Sequence, residues 1–574
     1  MTTADVVKRR SYDVSIVADL HSQSLVGRIL AGRGVLSKDD LGLSLDRLLL
    51  PGSMQDFDTA TELLSDTVIS GKKILIVGDY DADGATSTAL ACHFLTAVGA
   101  EVSYLVPNRF EFGYGLSAAI VEVALIEKPD LILTVDNGIA SNDGVEVAKQ
   151  AGVSVLVTDH HLPPEVLPGA DAIVNPNRKD CDFSSKHICG VGVIFYVMTG
   201  VCRRLQQNGW LAEKNIDTPR MADYLDLVAV GTVADVVALD QNNRIMVEHG
   251  LRRIRAGVAR PGIMALFEVA GRGYRQATSA DLGFIVGPRL NAASRLTDIS
   301  VGIECLLAED IQTALPIARS LDELNRKRRQ IETGMRAEGF EQVENLIEQQ
   351  SGELPCALAL YKPDWHEGVI GIVAGRIKEK CHRPVFAFAR SADGYLKGSG
   401  RSIAGVHIRD ILVAMVAADP GLLTKFGGHA MAAGLSLPET HFPKFKAAFE
   451  AEVSRVLKGQ LPTREWLTDG SLDDADMNLQ NAGLIKYLQP WGQAFPAPLF
   501  DDIFTIKTAQ EIGTGHSRLM LRRVNGNRDV PAVAFNRRLQ ASPEQRWRMV
   551  FRLDINQYRD RETLQLVIEH VQSV

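Results

Sequence analysis

The sequence predicts an α/β protein with three parts: a domain built on a parallel sheet, a long helix leading to a second α/β domain, and a C-terminal β-barrel. Three observations predict this architecture. Apolar runs alternate with helix-length segments between residues 73 and 174, a charge-rich stretch covers 303–352, and strand-like runs replace helical periodicity after residue 465. Because 574 residues exceed what one core usually holds, several domains are expected.

The parallel sheet is predicted by apolar runs of strand length, separated by segments long enough for a crossover helix. The predicted strands are 73–78, 101–106, 130–135, 153–158 and 172–174. The predicted helices are 84–98, 117–127, 142–151, 190–207 and 219–231. This domain is expected to span 51–302, after an N-terminal arm over 1–50 with short helical pieces.

The connecting helix is expected within 303–352 and after Pro316, because so polar a helix is typical of a solvated connector between domains. The second α/β domain is expected at 353–457, with strands at Ala357–Tyr361 and Pro384–Phe388 and three glycine-rich signals. Both predictions follow from the change in pattern along the chain.

The last segment, 465–574, is predicted to be a small barrel of the OB type. Its predicted strands are Phe500–Lys507, Ser517–Val524, Val530–Phe535, Arg546–Leu553 and Leu564–Val571. Between residues 518 and 561 it carries eleven arginines against four acidic residues, interleaved with aromatics. This combination favours sequence-tolerant binding of single strands, and the candidate contacts are Arg518, Arg522, Trp547 and Arg548. The alternative is that the aromatics fill the barrel's own core, and at least two of the four (535, 547, 551 and 558) are expected there.

The composition describes an ordinary globular protein, with 46% hydrophobic and 23% charged residues and a net charge of −8. No apolar stretch approaches the ~18 residues of a membrane span, and no apolar segment follows the basic residues of Met1–Arg10. The seven cysteines are scattered without CxxC spacing. We therefore expect a cytoplasmic protein with reduced thiols, no structural zinc and no membrane contact.

Carboxylates and histidines stand at the ends of the predicted strands and of a later helix. They are Asp79, Asp81 and Asp83 after the first strand, Asp136 after the third, Asp159, His160 and His161 after the fourth, and Asp235 after a helix. Ligands bind at the carboxyl edge of open α/β sheets, and so many like charges in one crevice need a cation. Oxygen ligands with one or two imidazoles suit Mg²⁺ or Mn²⁺. The pattern predicts two such ions, roughly 3.5–4 Å apart, in a hydrolase that attacks phosphorus.

Each of these residues also has a structural interpretation, as a helix cap, a turn former or a core histidine. Their coincidence at successive strand ends favours the metal site. If the backbone from Asp79 to Asp83 stays extended, its period of two places the three carboxylates on one side. Asp159 is the weakest ligand candidate, and it is expected to orient an imidazole.

A series of short motifs, in order over nearly the whole chain, resembles the DHH phosphoesterase superfamily. The motifs are Asp79–Gly84, Pro107–Arg109 with Gly113–Gly115, Val135–Gly138, Asp159–His161, Gly190–Val193, Gly231–Asp235 and Gly287–Ala293. Three later segments, Trp365–Gly371, Gly398–Ser402 and Gly427–Gly434, resemble the DHHA1 domain that accompanies DHH. Within the superfamily the chain is similar to the bacterial exonucleases that degrade single-stranded DNA.

The resemblance implies metal ligation by Asp79, Asp81, Asp83, Asp136, His160 and Asp235. It places His161 beside the metals, against the scissile phosphate, so that Asp81, Asp136, Asp159, His160 and His161 form the catalytic set. It also implies 5′→3′ hydrolysis to mononucleotides in DNA repair and recombination. The DHH and DHHA1 domains would flank a groove too narrow for a duplex, and the barrel would capture the strand. The partners it implies are single-stranded DNA, single-strand-binding protein and a recombination helicase, for a protein expected to be a monomer.

Phosphodiester cleavage requires cationic or amide donors around the non-bridging oxygens. The candidates are Arg109, Arg289, Asn291, Arg295, His366, Arg401, Ser402, Gly427, Gly428 and His429. Arg401 is favoured because the glycines around Ser399 leave the backbone open to a phosphate. Arg295 has the alternative of a surface ion pair, and Gly427–His429 the alternative of a tight turn with His429 packed.

The sequence departs from the pattern of the superfamily at two places. Ser294 replaces a frequent glycine, which could stiffen a loop beside Arg295, and Ala494-Phe495-Pro496 replaces the usual Gly-Asn-Pro in the connector to the barrel. Two other functions stay open: a phosphatase or oligonucleotide hydrolase for small substrates, and a nucleic-acid scaffold without catalysis. The basic barrel disfavours the first, and the complete set of acidic residues disfavours the second.

Overall fold

A computed structural model of the chain describes residues 5–107, 115–349, 353–391, 394–513, 515–558 and 561–574. It contains two compact units. The larger unit comprises Arg9–Glu323 and Thr468–Val574, and the smaller unit comprises Leu324–Leu467 with the residues up to Lys8. The predicted fold class is confirmed, with a parallel-sheet domain, a second α/β domain and a closed C-terminal barrel.

The N-terminal residues form short elements that support the barrel. They are strand β1 (Val6–Arg9), helices α1 (Val17–Leu20) and α2 (Ser24–Ala31), and 3-10 turns at Val14–Ile16, Lys38–Leu41, Leu45–Arg47 and Pro51–Ser53. Leu25 and Ile29 of α2 belong to the hydrophobic core of the C-terminal barrel. Just after α2, Arg33 donates two hydrogen bonds to the carboxylate of Asp469, at 2.7 and 3.1 Å.

Five parallel strands form the sheet of the larger unit, in the order β3-β2-β4-β5-β6. The strands are β2 (Ile74–Gly78), β3 (Val102–Leu105), β4 (Leu131–Val135), β5 (Ser154–Thr158) and β6 (Ala172–Val174). The helices before and between them are α3 (Phe57–Ile69), α4 (Ala82–Ala97), α5 (Ala118–Ile126) and α6 (Asn142–Gln150). Side chains of α5 and α6 share a core with one face of β2, β4 and β5. Because all five strands are parallel, their carboxyl ends meet at one edge.

The chain then forms a helical layer that carries further site residues. Its elements are α7 (Gly190–Gln207), α8 (Trp210–Glu213), α9 (Leu225–Ala234), α10 (Gln241–Ala256), α11 (Pro261–Val269), α12 (Ser279–Asp281), a π-helix (Leu282–Val286), α13 (Gly287–Leu296) and α14 (Ser300–Leu307). The helix predicted over 219–231 begins only at Leu225, because Met221–Tyr224 form a 3-10 turn.

The connecting helix α15 spans Ile311–Gln349, so the expectation that it begins after Pro316 is wrong. Its first turn is capped by Asp310, whose side chain accepts the N–H of Thr313 at 2.7 Å. Pro316 lies only in the second turn, where its missing N–H costs one hydrogen bond. Ala314 and Ala318 are fully buried on either side and hold this part of the helix in place.

The smaller unit has a mixed sheet in the order β10-β11-β9-β8-β7, in which only β7 and β8 are parallel neighbours. Its elements are β7 (Leu358–Tyr361), α16 (Ile370–Cys381), β8 (Val385–Arg390), β9 (Tyr395–Arg401), α17 (Ile408–Ala418), β10 (Lys425–Gly428), β11 (Ala432–Pro438) and α18 (Phe442–Val456). Phe386, Phe445 and Phe449 form the centre of the core, with edge-to-face ring contacts. Beyond this sheet, β12 (Glu465–Thr468) pairs with β1.

The five predicted strands of the last segment form a closed barrel, in the order β13-β14-β15-β17-β16. Its elements are α19 (Leu479–Tyr487), β13 (Phe500–Ile512), β14 (His516–Arg523), β15 (Asp529–Ala534), β16 (Ser542–Tyr558) and β17 (Arg561–Ser573). Phe500, Phe504 and Phe551 are fully buried at its centre. Among the described residues, no helix combines the length and the apolarity that crossing a membrane requires.

The connector to the barrel contains a strained residue where the superfamily resemblance led us to expect glycine. Ala494 has φ +60° in a tight turn closed by hydrogen bonds between Gly492 and Phe495. We expect Ala494→Gly to raise the free energy of unfolding by about 1 kcal/mol, because the left-handed conformation penalises a Cβ. The midpoint of urea unfolding measures this effect. The control, Ala119→Gly at an exposed position in the first turn of helix α5, should lower stability by up to about 1 kcal/mol, and a loss at both positions would contradict the prediction.

Candidate metal centre

The first three carboxylates lie where strand β2 turns into helix α4. The strand ends at Gly78, and Asp81 caps the helix by accepting the N–H groups of Asp83 and Gly84 at 2.8 and 3.1 Å. Asp83 is therefore already helical, so the premise of an extended backbone over these residues is wrong. The carboxylates converge through a helical turn instead.

The other members of the cluster arrive from two strand ends and one helix end. Asp136 follows β4, His160 lies two residues after β5, and Asp235 ends α9. The Nε2 atom of His160 lies 3.1 Å from an oxygen of Asp136, 3.6 Å from one of Asp235 and 3.8 Å from one of Asp83. A single imidazole nitrogen thus faces three carboxylates, contributed by three different parts of the chain.

The backbone around this cluster is strained and closely packed. Asp136 and Val236 both have left-handed backbone conformations, with φ +62° and +61°. A Cβ on Gly190, at the start of α7, would lie 2.6 Å from the Cβ of Asp136, so only glycine allows this approach. Strain of this kind persists at functional sites, where the surrounding structure fixes it.

Helix α7 fixes Asp83 directly. The N–H groups of Gly190 and Val191, at the helix N-terminus, donate to the two oxygens of Asp83 at 2.7 and 2.9 Å. Asn137 connects neighbouring strand ends, since its side-chain amide donates to the carbonyls of Val77 and Val135. Both contributions were missed at the sequence level, although Gly190 and Asn137 lie within motifs already recognised there.

Asp159 orients the histidine pair. One of its oxygens accepts the backbone N–H of His160 and of His161 and the ring Nδ1–H of His161, the last at 2.7 Å. Its other oxygen accepts the N–H of Ile139. Asp159 is fully buried and its lone pairs serve these donors, so in this structure it is a positioning residue.

The cluster is electrostatically unfavourable unless a cation is present. Burial, followed by the charges of neighbouring carboxylates, raises the pKa of Asp83 to about 7 and those of Asp79, Asp136 and Asp235 well above their usual range. Burial and then the charge of His161 lower the pKa of His160 to about 4, so its imidazole is neutral. Neutral imidazole and carboxylate are the protonation states that metal binding requires.

The donor atoms fit divalent ions. Groups of side chains bring one ligand atom each to within 4.8 Å of one another: Asp79 with Asp81 and Asp136, Asp83 with His160 and Asp235, and Asp136 with His160 and His161. Asp79 Oδ1 and His160 Nε2 are buried and have no hydrogen-bond partner among the described residues. Buried lone pairs of this kind are accounted for when a cation accepts them.

His161 differs from His160 in charge and exposure. Burial opposes its protonation, but the hydrogen bond and charge of Asp159, with the charges of Asp79 and Asp235, raise the pKa of His161 to about 9. Its side chain is 44% exposed. The hydrogen bond to Asp159 therefore favours the protonated imidazole, and the partly exposed ring of His161 is available to a substrate at the edge of the cluster.

Several predicted phosphate contacts of the larger unit have structural roles. Arg289 is buried and ion-paired with Asp322 at 2.8 Å, so the prediction that it grips the strand is not met in this structure. Asn291 accepts the N–H of Ala82 at 2.9 Å and thereby holds the first turn of α4 in place. Arg295 lies half-buried one turn further along α13, and Arg109 falls outside the described residues.

In the smaller unit, Arg401 marks a candidate anion site. Its guanidinium donates to Ser399 Oγ and to the carbonyl of Gly400, and it pairs with no carboxylate among the described residues. A Cβ on Gly371 would lie 2.9 Å from its Nη2, so the first turn of helix α16 is beside it. A half-buried guanidinium next to a helix N-terminus is suited to phosphate.

The remaining candidates of the smaller unit differ in how available they are to a phosphate. Nδ1 of His366 accepts the N–H of Gly368 at 3.1 Å, just before α16. Ser402 is buried and donates to the carbonyl of Val406, so its hydroxyl serves the loop rather than a phosphate. Gly427 and Gly428 lie in exposed strand β10, and His429 is exposed beside them, contrary to the alternative in which it packs.

On the barrel, Arg518 is exposed, whereas two other predicted contacts are ion-paired. Arg522 pairs with Asp529 on the surface, and Arg548 donates to buried Asp501, which also holds Arg9. Trp547 is partly buried against the barrel core, where Phe551 is fully buried. Of the four aromatics, Phe551 is core, Trp547 packs partly buried against the core, and Phe535 is 51% exposed, while the side chain of Tyr558 lies outside the described residues, so the expectation of at least two core aromatics stays a prediction.

Comparisons with known proteins agree with this geometry. Residues 73–232 match the model of the DHH family, N-terminal domain, residues 355–455 that of the DHHA1 domain, and residues 468–570 that of the RecJ OB domain. The single-stranded-DNA-specific exonuclease RecJ of Escherichia coli (strain K12) is 47% identical over 571 residues, covering 98% of this chain and 99% of that protein. The protein of the same name from Salmonella typhimurium is 47% identical over 569 residues, covering 98% of each. The crystal structure of RecJ in complex with Mn²⁺ from Thermus thermophilus superposes with a TM-score of 0.79 at 30% identity, covering 99% of this chain and 79% of that one. A second structure of that protein holds Mg²⁺.

Proposed function

Because the chain belongs to the RecJ family of single-stranded-DNA-specific exonucleases, we propose that it hydrolyses single-stranded DNA from the 5′ end to mononucleotides by a two-metal mechanism. The observation that carries this proposal is the buried cluster of carboxylates around His160, whose ligand atoms lie in groups within 4.8 Å of one another. Two divalent ions, Mg²⁺ or Mn²⁺, would be held by Asp79, Asp81, Asp83, Asp136, His160 and Asp235. When bound, they supply a nucleophile at neutral pH and stabilise charge on the phosphate oxygens.

The protein's own groups position the substrate and hold the ligands still. Asp83 is fixed by two backbone N–H groups of α7, and Asp81 by its role as helix cap. His161, which Asp159 keeps protonated, presents a positive charge at the mouth of the cluster for a non-bridging phosphate oxygen. This arrangement favours the charge distribution of a phosphodiester under attack.

We further propose that Arg401, with the first turn of α16, binds a phosphate of the strand, and that the barrel holds DNA further along through Arg518 and its neighbours. The predicted domain boundaries remain part of the proposal. So do action as a cytoplasmic monomer and cooperation with single-strand-binding protein and a recombination helicase.

The proposal is tested by digesting single- and double-stranded DNA labelled at either end, with and without a chelator. We expect release of labelled mononucleotides first from the 5′ end of the single strand only, and complete loss of activity with chelator. Degradation from the 3′ end, or equal activity on a duplex, would contradict the polarity or the strand specificity. Activity confined to very short oligonucleotides would favour a small-substrate hydrolase.

A variant of Arg401 tests the anion site. We expect Arg401→Ala to raise KM for single-stranded DNA by about 10- to 100-fold, because a charge-assisted phosphate contact contributes ~1.5–3 kcal/mol. Arg401→Lys should keep part of this binding, since it keeps the charge but not the fork of donors. The control is Arg409→Ala, at an exposed position of helix α17. Equal KM values for Arg401→Ala and the control would remove Arg401 from the substrate site.

A further inference from the structure

An exposed phenylalanine lies on the short helix that packs against the end of α9. Phe284 is 74% exposed, whereas its neighbours Leu282, Ile285 and Val286 are buried. The buried neighbours thus fix the backbone of this segment, and the aromatic ring of Phe284 is exposed to solvent. Single exposed apolar side chains are common on protein surfaces, so the exposure of Phe284 is informative only together with its position in the fold.

The segment that carries Phe284 connects two turns that hold metal ligands. At one end, a Cβ on Gly283 would lie 3.3 Å from Val233, and a Cβ on Gly287 would lie 3.0 Å from that of Ala234, the residue before Asp235. At the other end, Asn291 accepts the N–H of Ala82, between Asp81 and Asp83. The segment around Phe284 thus packs against the end of α9, the helix that carries Asp235.

The local backbone is unusual for a reason encoded in the sequence. Residues Leu282–Val286 form a π-helix, a rare conformation that occurs mostly at functional sites. Pro288 has no N–H to donate to the carbonyl of Phe284, as the α-helical pattern would require. The helix is thus wider at Phe284 than an α-helix.

A second exposed apolar residue flanks the same ligand. Val236, directly after Asp235, is 63% exposed and has φ +61°, which is unfavourable for a β-branched side chain. Val236 directly follows the C-cap of α9, where a left-handed residue commonly ends a helix, so its backbone conformation has a local cause and its exposure is what remains unexplained. Val236 follows Asp235 directly in the chain, and the segment that carries Phe284 packs against Val233 and Ala234, the two residues before Asp235.

We propose that Phe284 stacks on a nucleobase of the strand next to the scissile phosphate and that Val236 contacts the same nucleoside. The inference rests on the proposed nuclease function. A phosphate held by the ligands around Asp235 brings its attached nucleoside towards the end of α9, against which the segment of Phe284 packs. Every base has a π face, so stacking holds the strand without reading its sequence. Phe284 is thus a positioning residue, and it makes the site selective for an unpaired base.

The test compares KM and kcat of the full-length protein and its variants on a 5′-phosphorylated single strand. Loss of a base-stacking contact corresponds to a rise in KM of roughly 5- to 100-fold for Phe284→Ala. Phe284→Trp should keep a near-normal KM, because it keeps the aromatic face. Ile126→Ala is the matched control: Ile126 is 75% exposed, and it lies at the end of α5, near the amino edge of the sheet and opposite the metal centre.

A set of oligonucleotides with one abasic nucleotide at successive positions from the 5′ end gives the specific readout. In the wild type, an abasic nucleotide at one of these positions should raise KM by about as much as Phe284→Ala does. With that same oligonucleotide, the variant should show no further rise in KM. A normal KM for Phe284→Ala, or a full additional loss at every abasic position, would overturn the stacking role alone. A wild type inactive on every single strand would overturn the proposed function and this inference together.

Discussion

Replacing Asp136 with asparagine is expected to lower kcat/KM on single-stranded DNA by about 10³-fold or more. Asp136 connects the two sides of the centre, because it groups with Asp79 and Asp81 and one of its oxygens also lies 3.1 Å from His160 Nε2. A divalent ion contributes several kcal/mol of transition-state stabilisation, and ~4 kcal/mol corresponds to that factor. Asparagine is preferred to alanine because it tolerates the left-handed conformation at this position.

Two further measurements distinguish a lost metal site from a damaged fold. Binding of single-stranded DNA in the presence of chelator should be nearly unchanged, because the barrel arginines are untouched. Added Mn²⁺ should raise the thermal midpoint of the wild type but not that of the variant. The control is Asp143→Asn, on the exposed first turn of α6, which should behave as wild type. Cleavage by Asp136→Asn within tenfold of wild type would remove this carboxylate from the mechanism.

Replacing Asp469 with alanine is expected to lower the free energy of unfolding by about 3–5 kcal/mol, because it leaves a buried charge without its partner. The Arg33 side chain is 0% exposed and that of Asp469 1%, so water cannot replace the lost carboxylate. Asp469 also accepts the N–H of Leu499, the residue before strand β13. The change therefore removes a charge pair and a backbone anchor together.

The midpoint of urea unfolding measures the loss, and an exposed ion pair provides the control. Asp529→Ala breaks the surface pair with Arg522, whose members are about 40% exposed, and should cost less than 1 kcal/mol. The double variant Arg33→Met with Asp469→Leu should recover part of the stability, since apolar side chains often replace a buried pair at little cost. A loss below 1 kcal/mol for Asp469→Ala would show that the pair is not buried in solution.

The sequence was sufficient for the sheet and for the convergence of the acidic residues. Strands β2, β4 and β5 are nearly continuous apolar runs, which predict buried parallel strands. The residues that follow parallel strands all lie at the same edge of the sheet. The condition of an extended backbone from Asp79 to Asp83 is not met, because Asp81 caps a helix that already includes Asp83. The same residue serves as cap and as candidate ligand, so the two interpretations were not exclusive.

Other features depended on contacts between residues far apart in the chain. Arg289 has the charge of a phosphate ligand, but its partner Asp322 lies on the next long helix, and no local pattern connects the two. The exposure of Phe284 follows from a π-helix, which apolar periodicity cannot distinguish from an α-helix. The packing of α2 in the barrel core is likewise a contact between residues near the two ends of the chain.

That shared core has a consequence for biosynthesis. Leu25 and Ile29 are made first, whereas their partners, such as Leu566 and Ile568, are made last. At a translation rate of about 5–20 residues per second, the early helix waits roughly half a minute to two minutes for its partners. During this interval the nascent polypeptide exposes an apolar stripe that a chaperone can shield. Expressing the C-terminal barrel by itself should therefore yield a poorly soluble fragment.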